Sequence, residues 1–139
     1  MWYVEQGTLE NYFKDLLVKN ESRDKMKILI TGGAGFIGSN VVDLLIKEGH
    51  NVVVVDNLSQ GKRGNVNSSA RFYKCDILDV DELNRIFSTE KAEVVIHNAA
   101  QIDIQTSLKE PALDAEINIK GTINVLECCK KYGVKKIIY

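Results

Sequence analysis

The fold of this 139-residue chain is decided by the stretch Thr31-Gly32-Gly33-Ala34-Gly35-Phe36-Ile37-Gly38-Ser39. This stretch follows residues 27–30, a short run that ends in three apolar residues and is typical of a buried strand. Beyond it, apolar residues recur at helical spacing, at Ile37, Val41, Leu44 and Leu45. The pattern therefore predicts a strand, a glycine-rich turn and a helix in direct succession.

Three glycines of this turn are spaced Gly-x-x-Gly-x-x-Gly, which is a variant of the dinucleotide-binding fingerprint. Gly32 permits a tight turn, Gly35 lets the backbone approach a pyrophosphate, and Gly38 lets the helix pack closely on the strand. The free amides and the dipole at the helix start would hold the phosphates. A purely structural turn is the alternative interpretation.

The next predicted strand, Asn51–Asp56, ends in a carboxylate. An acid at this place accepts a hydrogen bond from the ribose 2′-hydroxyl of NAD and repels the 2′-phosphate of NADP. Asp56 therefore favours NAD as the cofactor. Lys62 and Arg63 follow in the loop, where a solvated basic loop is favoured over a phosphate-binding role.

The rest of the chain alternates between strand and helix patterns. Strands are predicted over residues 71–76, 93–97 and 135–139. A helix is predicted over residues 80–89, with Asp79 as its cap. With right-handed crossovers, this alternation predicts an α/β fold, a Rossmann-like doubly wound parallel sheet of strand order 3-2-1-4-5 that ends within its fifth strand.

One long helix is predicted before the fifth strand, from Pro111 to Tyr132. Proline suits the first turn of a helix, and Gly133 would end it. The apolar residues of this helix recur at helical spacing. We expect them to form its buried face, at Ala115, Ile119, Ile123, Leu126 and Cys129.

Residues 1–25 are interpreted as an N-terminal extension, and residues 26–139 as the dinucleotide-binding domain. In the extension, apolar residues fall on one face of an amphipathic helix, at Leu9, Tyr12, Phe13, Leu16 and Leu17. A helix packed on the domain or a partly ordered tail is favoured. A membrane-surface or partner helix and a gene-start artefact are the alternatives.

The composition argues against several classes of function. The net charge of −1 gives no electrostatic footprint for nucleic acid. No apolar stretch approaches the ~20 residues of a membrane span, and no signal-peptide pattern is present, so we expect a cytoplasmic protein without a membrane partner. Cys75, Cys128 and Cys129 lack metal-ligand spacing with His50 or His97, so we expect buried thiols and no metal site.

Five stretches occur in an order that is specific to one family: residues 31–38, 55–63, 75–77, 97–101 and 118–122. From Met26 to Tyr139 the chain resembles the cofactor half of the extended short-chain dehydrogenase/reductases. It is most similar to the NAD-dependent nucleotide-sugar epimerases of the UDP-glucose 4-epimerase type. The resemblance implies NAD as cofactor, a UDP-hexose as the substrate of the complete protein, and a homodimer.

The resemblance also implies which residues hold NAD. The pyrophosphate would lie on the glycine loop and helix start, at Gly32, Gly35, Phe36, Ile37 and Gly38. The adenosine ribose would be held by Asp56 and Asn57, beside Ser59 and Gly61. Asp76 and Ile77 would flank the adenine, with a turn cap as the alternative role of Asp76. The nicotinamide half would lie along Asn98, Ala99, Ala100 and Gln101.

Two asparagines of this implied site differ from the other contacts. Asn98 stands where the family usually has a bulkier apolar residue. Asn118, on the long helix, would support the end of the fourth strand or the cofactor loop by hydrogen bonding. The alternative for Asn118 is a polar side chain that is satisfied by the local backbone.

The family's chemistry is a transient transfer of hydride from C4 of the sugar to NAD, with a Ser/Thr and a Tyr-x-x-x-Lys pair as the proton-handling groups. Tyr132 and Lys136 match the bare spacing, but Gly133 would end the helix between them, so they would not share one face. We therefore predict no catalytic residue here and expect the chain alone to be inactive. A nucleotide-sugar 4,6-dehydratase and a non-catalytic NAD-sensing or interaction module are the alternatives.

Overall fold

The computed structural model describes residues 25–139, so the amphipathic helix predicted in the extension lies outside the described residues. Within them, one sheet of parallel strands has the order β3-β2-β1-β4-β5. The strands are β1 Lys27–Thr31, β2 Asn51–Asp56, β3 Arg71–Lys74, β4 Val94–His97 and β5 Lys136–Ile138. The predicted Rossmann-like strand order is confirmed.

Helices cover both faces of this sheet. They are α1 Phe36–Lys47, α2 Val80–Glu90, α3 Ile104–Lys109, α4 Pro111–Ala115 and α5 Thr122–Lys131, with a 3-10 turn at Arg63–Asn65. Successive side chains of a strand point to opposite faces, so Ile28 packs in the α1 core and Leu29 in the core under α2 and α5. Asp79 caps α2 as predicted, since its Oδ1 accepts a hydrogen bond from the amide of Glu82 at 3.0 Å.

The long helix exists, but the predicted buried face is wrong at four of its five positions. Ile119 and Ile123 are 62% and 51% exposed, and Ala115 and Leu126 are also exposed. The buried positions of its second half are Gly121, Val125, Cys128 and Cys129. Of the predicted face, Cys129 alone is buried.

A π-helical segment over Glu116–Gly121 joins α4 to α5 and explains this shift. A π turn holds more residues than an α turn, so a spacing of 3.6 residues does not carry across it. A Cβ atom on Gly121 would lie 2.7 Å from Cγ1 of Ile77, so the helix packs tightly on the loop after β3 at this glycine. The helix ends as predicted at Gly133, whose φ is +68°.

Candidate functional site

The glycine turn lies at the carboxyl end of β1, which is flanked by β2 on one side and β4 on the other. Gly32 has a φ of +71°, and a Cβ atom there would lie 2.6 Å from the backbone nitrogen of Ala99. A Cβ atom on Gly38 would lie 2.8 Å from Cα of Gly33. These two positions therefore admit no larger residue, and the loop stays pressed between the end of β4 and the start of α1.

The third glycine of the motif faces open space instead. A Cβ atom on Gly35 would contact the Gly32 carbonyl oxygen, at 3.4 Å, and nothing else among the described residues within 4 Å. The first amides of a helix lack intrahelical acceptors, and those of Phe36 and Ile37 have no acceptor within residues 25–139. Both side chains are largely exposed. The start of α1 thus presents free donors and its positive dipole end to solvent.

A cleft of about 460 Å³ opens beside this helix start. It is lined by Ala34, Gly35, Phe36, Ser39, Gln60, Lys62 and Asn65. Lys62 therefore borders the cleft, whereas the guanidinium of Arg63 lies 4.6 Å from the ring centroid of Phe72. The two basic residues, which the sequence interpretation treated together, have different surroundings.

Asp56 ends β2 directly beside the glycine loop. Its Oδ2 accepts a hydrogen bond from the amide of Ala34 at 2.9 Å, and its Oδ1 accepts one from the amide of Leu58 at 2.8 Å. The residue is 8% exposed. A carboxylate offers about four lone-pair sites, so these two bonds leave acceptor capacity for a ligand hydroxyl. Gly61 packs on the same loop, because a Cβ atom there would lie 2.7 Å from the carbonyl carbon of Ala34.

The loops after β2 and β3 are tied together by a pair of polar side chains. Nδ2 of Asn57 donates to Oδ2 of Asp76 at 2.8 Å. Oδ1 of Asn57 accepts from the amide of Ser59 at 2.9 Å, and Oδ1 of Asp76 accepts from that of Leu78 at 2.9 Å. Both residues form Asx turns, so the turn-cap role considered for Asp76 is present. Ile77 is buried behind this pair.

The end of β4 carries a buried polar atom without a partner. The amide of Asn98 donates to the carbonyl of Thr31 at 3.0 Å, which extends the ladder one residue beyond β4. Its side-chain Nδ2 is buried and has no hydrogen-bond partner among the described residues. An unpaired buried donor is costly, so a polar partner at this position would be favourable.

Asn118 holds the loop that follows. Its Oδ1 accepts from the amide of Gln101 at 2.8 Å, and its Nδ2 donates to the carbonyl of Gln101 at 2.9 Å. These two bonds join the helix to the loop after β4. Nδ2 also contacts Oδ1 of Asp114 at 3.2 Å, within its own helix.

The sequence interpretation missed three residues that meet behind this loop. Nδ1 of His97 lies 2.6 Å from Oγ1 of Thr31, and its Nε2 lies 3.0 Å from Oγ1 of Thr122. Burial lowers the pKa of His97 below its ordinary value. Thr31 and His97 are polar residues at the ends of two apolar strands, but the in-register pairing that brings them together is visible only in the fold.

Tyr132 lies at the end of α5 and Lys136 lies in β5, on opposite sides of Gly133. The hydroxyl of Tyr132 donates to Oδ1 of Asn84 at 2.9 Å. The three cysteines are buried and unbridged, as expected. Residues 25–139 contain no cluster of three His, Cys, Asp or Glu residues suited to a metal ion. No helix in the same range is long and apolar enough to cross a membrane.

Comparison with known proteins gives a consistent family. The model of the NAD dependent epimerase/dehydratase family matches residues 28–139. A UDP-glucose 4-epimerase of Mycolicibacterium smegmatis is 41% identical over 119 residues, which cover 82% of this chain and 38% of that protein.

Two solved structures share the fold at high sequence identity. The UDP-glucose 4-epimerase of Thermotoga maritima, crystallised with UDP-glucose, is 54% identical with a TM-score of 0.79, covering 81% of this chain and 36% of that one. The UDP-glucose 4-epimerase of Thermus thermophilus, in complex with NAD, is 43% identical with a TM-score of 0.80, covering 82% of this chain and 37% of that one. The chain thus spans little more than a third of the length of these relatives.

Proposed function

Because the chain belongs to the NAD-dependent epimerase/dehydratase family, we propose that it forms the NAD-binding part of a nucleotide-sugar epimerase. The proposed reaction of the complete protein is the interconversion of UDP-glucose and UDP-galactose. One observation carries the proposal: the open start of α1 and the glycine cradle lie beside the buried carboxylate of Asp56. Residues 26–139 are the proposed binding domain, and residues 1–25 an extension to it.

The residues present fit the two phosphates and the adenosine of NAD. The pyrophosphate would accept hydrogen bonds from the amides at the start of α1, beside Gly35. The adenosine ribose would donate to the remaining lone pairs of Asp56. Proposed pyrophosphate contacts are Gly32, Gly35, Phe36, Ile37 and Gly38; proposed adenosine contacts are Asp56, Asn57, Ser59, Gly61, Asp76 and Ile77.

The nicotinamide half would lie along the loop after β4. The proposed contacts are Asn98, Ala99, Ala100 and Gln101, with Asn118 holding the backbone of Gln101 in place. The unpaired side-chain Nδ2 of Asn98 supports the proposal of a ligand at this end of the sheet. When bound, NAD supplies a group that takes a hydride from C4 of the sugar and gives it back. The role of this chain is to bind and orient that group.

Selection for NAD over NADP would come from charge. The carboxylate of Asp56 is buried at the end of β2 and would lie against a 2′-phosphate, which it repels. Lys62 borders the neighbouring cleft rather than contacting Asp56, and no basic side chain among the described residues forms an ion pair with this carboxylate. NAD is therefore the proposed physiological cofactor.

Calorimetric titration of the 139-residue chain with NAD and with NADP tests the proposal. We expect NAD to bind this chain weakly and NADP to bind at least ~10-fold more weakly still, as expected for an uncompensated charge repulsion of more than about 1.4 kcal/mol. Binding of neither dinucleotide would contradict the proposal. Equal affinity for NAD and NADP would contradict only the selective role of Asp56 and would leave the dinucleotide-binding proposal standing.

A second assay separates the epimerase from the dehydratase named in the same family. The complete protein is incubated with UDP-galactose, and the products are resolved by chromatography. UDP-glucose supports the epimerase, a 4-keto-6-deoxy sugar supports a 4,6-dehydratase, and NAD binding without turnover supports an NAD-sensing module. We propose that the 139-residue chain alone gives no product, and that the complete protein is a cytoplasmic homodimer.

A further inference from the structure

A continuous chain of hydrogen bonds runs behind the nicotinamide end of the proposed site. The amide of Ala99 lies 3.3 Å from Oγ1 of Thr31, which lies 2.6 Å from Nδ1 of His97. On the other side of the ring, Nε2 lies 3.0 Å from Oγ1 of Thr122, and that hydroxyl lies 2.7 Å from the carbonyl of Asn118. The chain thus links β1, β4 and the helix through one buried imidazole.

The direction of every bond follows from counting protons. The carbonyl of Asn118 can only accept, so the single hydroxyl proton of Thr122 is committed to it. Thr122 must then accept from His97, which places the ring proton on Nε2. A neutral imidazole has one N–H group, so Nδ1 carries a lone pair and accepts from the hydroxyl of Thr31. Thr31 in turn accepts from the amide of Ala99.

The two ends of this chain are parts of the proposed binding loop. Ala99 lies against the glycine turn, since its backbone nitrogen is 2.6 Å from the place of a Cβ atom on Gly32. Asn118 grips the backbone of Gln101 through both ends of its carboxamide. The imidazole is therefore connected indirectly to both ends of residues 99–101, through Thr31 at Ala99 and through Thr122 and Asn118 at Gln101.

We propose that neutral His97, as its Nε2–H tautomer, is a positioning residue that fixes residues 99–101 for the nicotinamide half of the dinucleotide. This inference rests on the proposed function. His97 does not touch the ligand; it acts through Thr31 on Ala99 and through Thr122 on the helical turn that carries Asn118. Its loss would weaken contacts at the nicotinamide half and leave those at the adenosine half intact.

Thr122 offers a matched pair of variants. Thr122→Val removes the hydroxyl at almost constant volume, and Thr122→Ser keeps it. We expect Thr122→Val to weaken NAD binding about tenfold, the effect of one lost hydrogen bond of ordinary strength, and Thr122→Ser to restore it. The control is Thr89→Val, because Thr89 makes the same hydroxyl-to-carbonyl bond one helical turn back, to Arg85 at 2.8 Å, on a helix away from the site.

AMP binding separates a positioning role from a merely structural one. If Thr122→Val damaged the fold in general, AMP binding would weaken as well. AMP carries the adenosine half and one phosphate, so its affinity, followed by NMR titration, should be the same in wild type and Thr122→Val. Equal weakening of AMP and NAD, or unchanged NAD binding in Thr122→Val, would overturn the positioning role. Wild-type chain that binds no NAD would instead overturn the proposed function, and this inference with it.

The tautomer is tested on the wild-type chain, whatever the variants do. The chain has two histidines, so the ¹⁵N spectrum of labelled imidazole resolves His97 from His50. We expect the shifts of a neutral ring protonated on Nε2 at pH 7–8. A proton on Nδ1, or a ring charged at pH 6.5, would overturn the hydrogen-bond direction on which the proposal depends.

Discussion

Oδ2 of Asp56 accepts a hydrogen bond from the backbone amide of Ala34 at 2.9 Å. The acid that ends β2 therefore holds the glycine turn that follows β1, before any ligand is considered. A bond from a charged acceptor to an amide contributes about 1.5–3 kcal/mol. Because both oxygens of this carboxylate bind backbone amides, Asp56 orients itself for a ligand while it shapes the loop.

Replacing Asp56 should separate these two roles. We expect Asp56→Ala to lower the free energy of unfolding by about 1–3 kcal/mol, through loss of the bond to Ala34. We also expect it to weaken NAD binding at least ~10-fold, through loss of the ribose contact. Urea unfolding and calorimetry measure the two effects. The control is Asp81→Ala, an exposed acid on α2; equal NAD affinity in wild type and Asp56→Ala would contradict the ribose role.

Gly38 should tolerate no side chain, although alanine normally stabilises a helix. A Cβ atom there would lie 2.8 Å from Cα of Gly33, and neither backbone can move without opening the turn. We expect Gly38→Ala to destabilise the fold by at least ~1–3 kcal/mol, the cost of overpacking. The matched control is Gly64→Ala, where a Cβ atom would meet nothing within 4 Å. Similar unfolding midpoints for the two variants would contradict the clash.

The features that sequence could predict were those that local pattern determines. The spacing of Gly32, Gly35 and Gly38 required a strand-turn-helix unit, and a run of apolar residues before Asp56 required a buried parallel strand. The strand order 3-2-1-4-5 is the usual one for a dinucleotide-binding sheet of this kind. The position of Asp56 beside the turn is a consequence of that order, because β1 and β2 are neighbours.

The features that sequence could not predict depend on contacts between distant elements. The helix face changed because Gly121 packs on Ile77 and a π turn accommodates it, and no repeat of 3.6 residues reports such a turn. The bonds of His97 depend on register, since Thr31 and Thr122 lie 66 and 25 residues away along the chain. A histidine at a strand end has no pattern that names its partners.

At the opposite end of the sheet, Glu90 provides a test of pH dependence. Its side chain is 1% exposed. Burial by itself would raise the pKa of Glu90, but hydrogen bonds from Tyr73, Arg71 and Lys27 outweigh it and hold the pKa below its ordinary value of 4.5. A lowered folded-state pKa means that the carboxylate stabilises the fold above pH 4.5 and loses this contribution as the pH falls through the folded-state pKa.

Glu90→Gln should therefore make the free energy of unfolding depend less on pH in the acid range. We expect the variant to be less stable than wild type by about 1–3 kcal/mol at pH 7, since three donors lose a charged acceptor. The difference should shrink below pH 4. Urea unfolding at pH 3–7 measures it, with Glu116→Gln as the exposed control. A constant difference across this range would contradict the assignment.

The cysteines should be unreactive while the chain is folded. Burial raises the pKa of Cys75 to about 12 and that of Cys129 to about 11, and it also raises the pKa of Cys128. The thiolate is the reactive form, so alkylation of Cys75 and Cys129 at pH 8 should be slowed by about hundredfold or more, and that of Cys128 should also be slowed. Mass spectrometry after iodoacetamide should find no modified cysteine in the native chain and three in urea. Rapid native modification would show that the core opens.

Asn98 should lower the free energy of unfolding of the ligand-free chain and strengthen NAD binding. Its Nδ2 is buried without a partner, and leucine has nearly the same shape without the polar atoms. We expect Asn98→Leu to raise the free energy of unfolding by about 1–2 kcal/mol, because a buried donor without a partner is removed. Asn98→Asp is the matched control, since it keeps the shape but buries a carboxyl group, and it should be less stable than wild type.

The same variant should lose part of the stabilisation that NAD gives. In the proposed complex, the carboxamide of Asn98 donates a hydrogen bond to a polar group of NAD, so NAD binding also relieves the destabilisation caused by the unpaired donor. Leucine removes both the destabilisation and the hydrogen bond to NAD. The shift in melting temperature at saturating NAD should then be smaller in Asn98→Leu, although the ligand-free variant melts higher. A ligand-free variant that melts below wild type would contradict the unpaired donor. A full NAD shift in a more stable variant would remove Asn98 from the binding site.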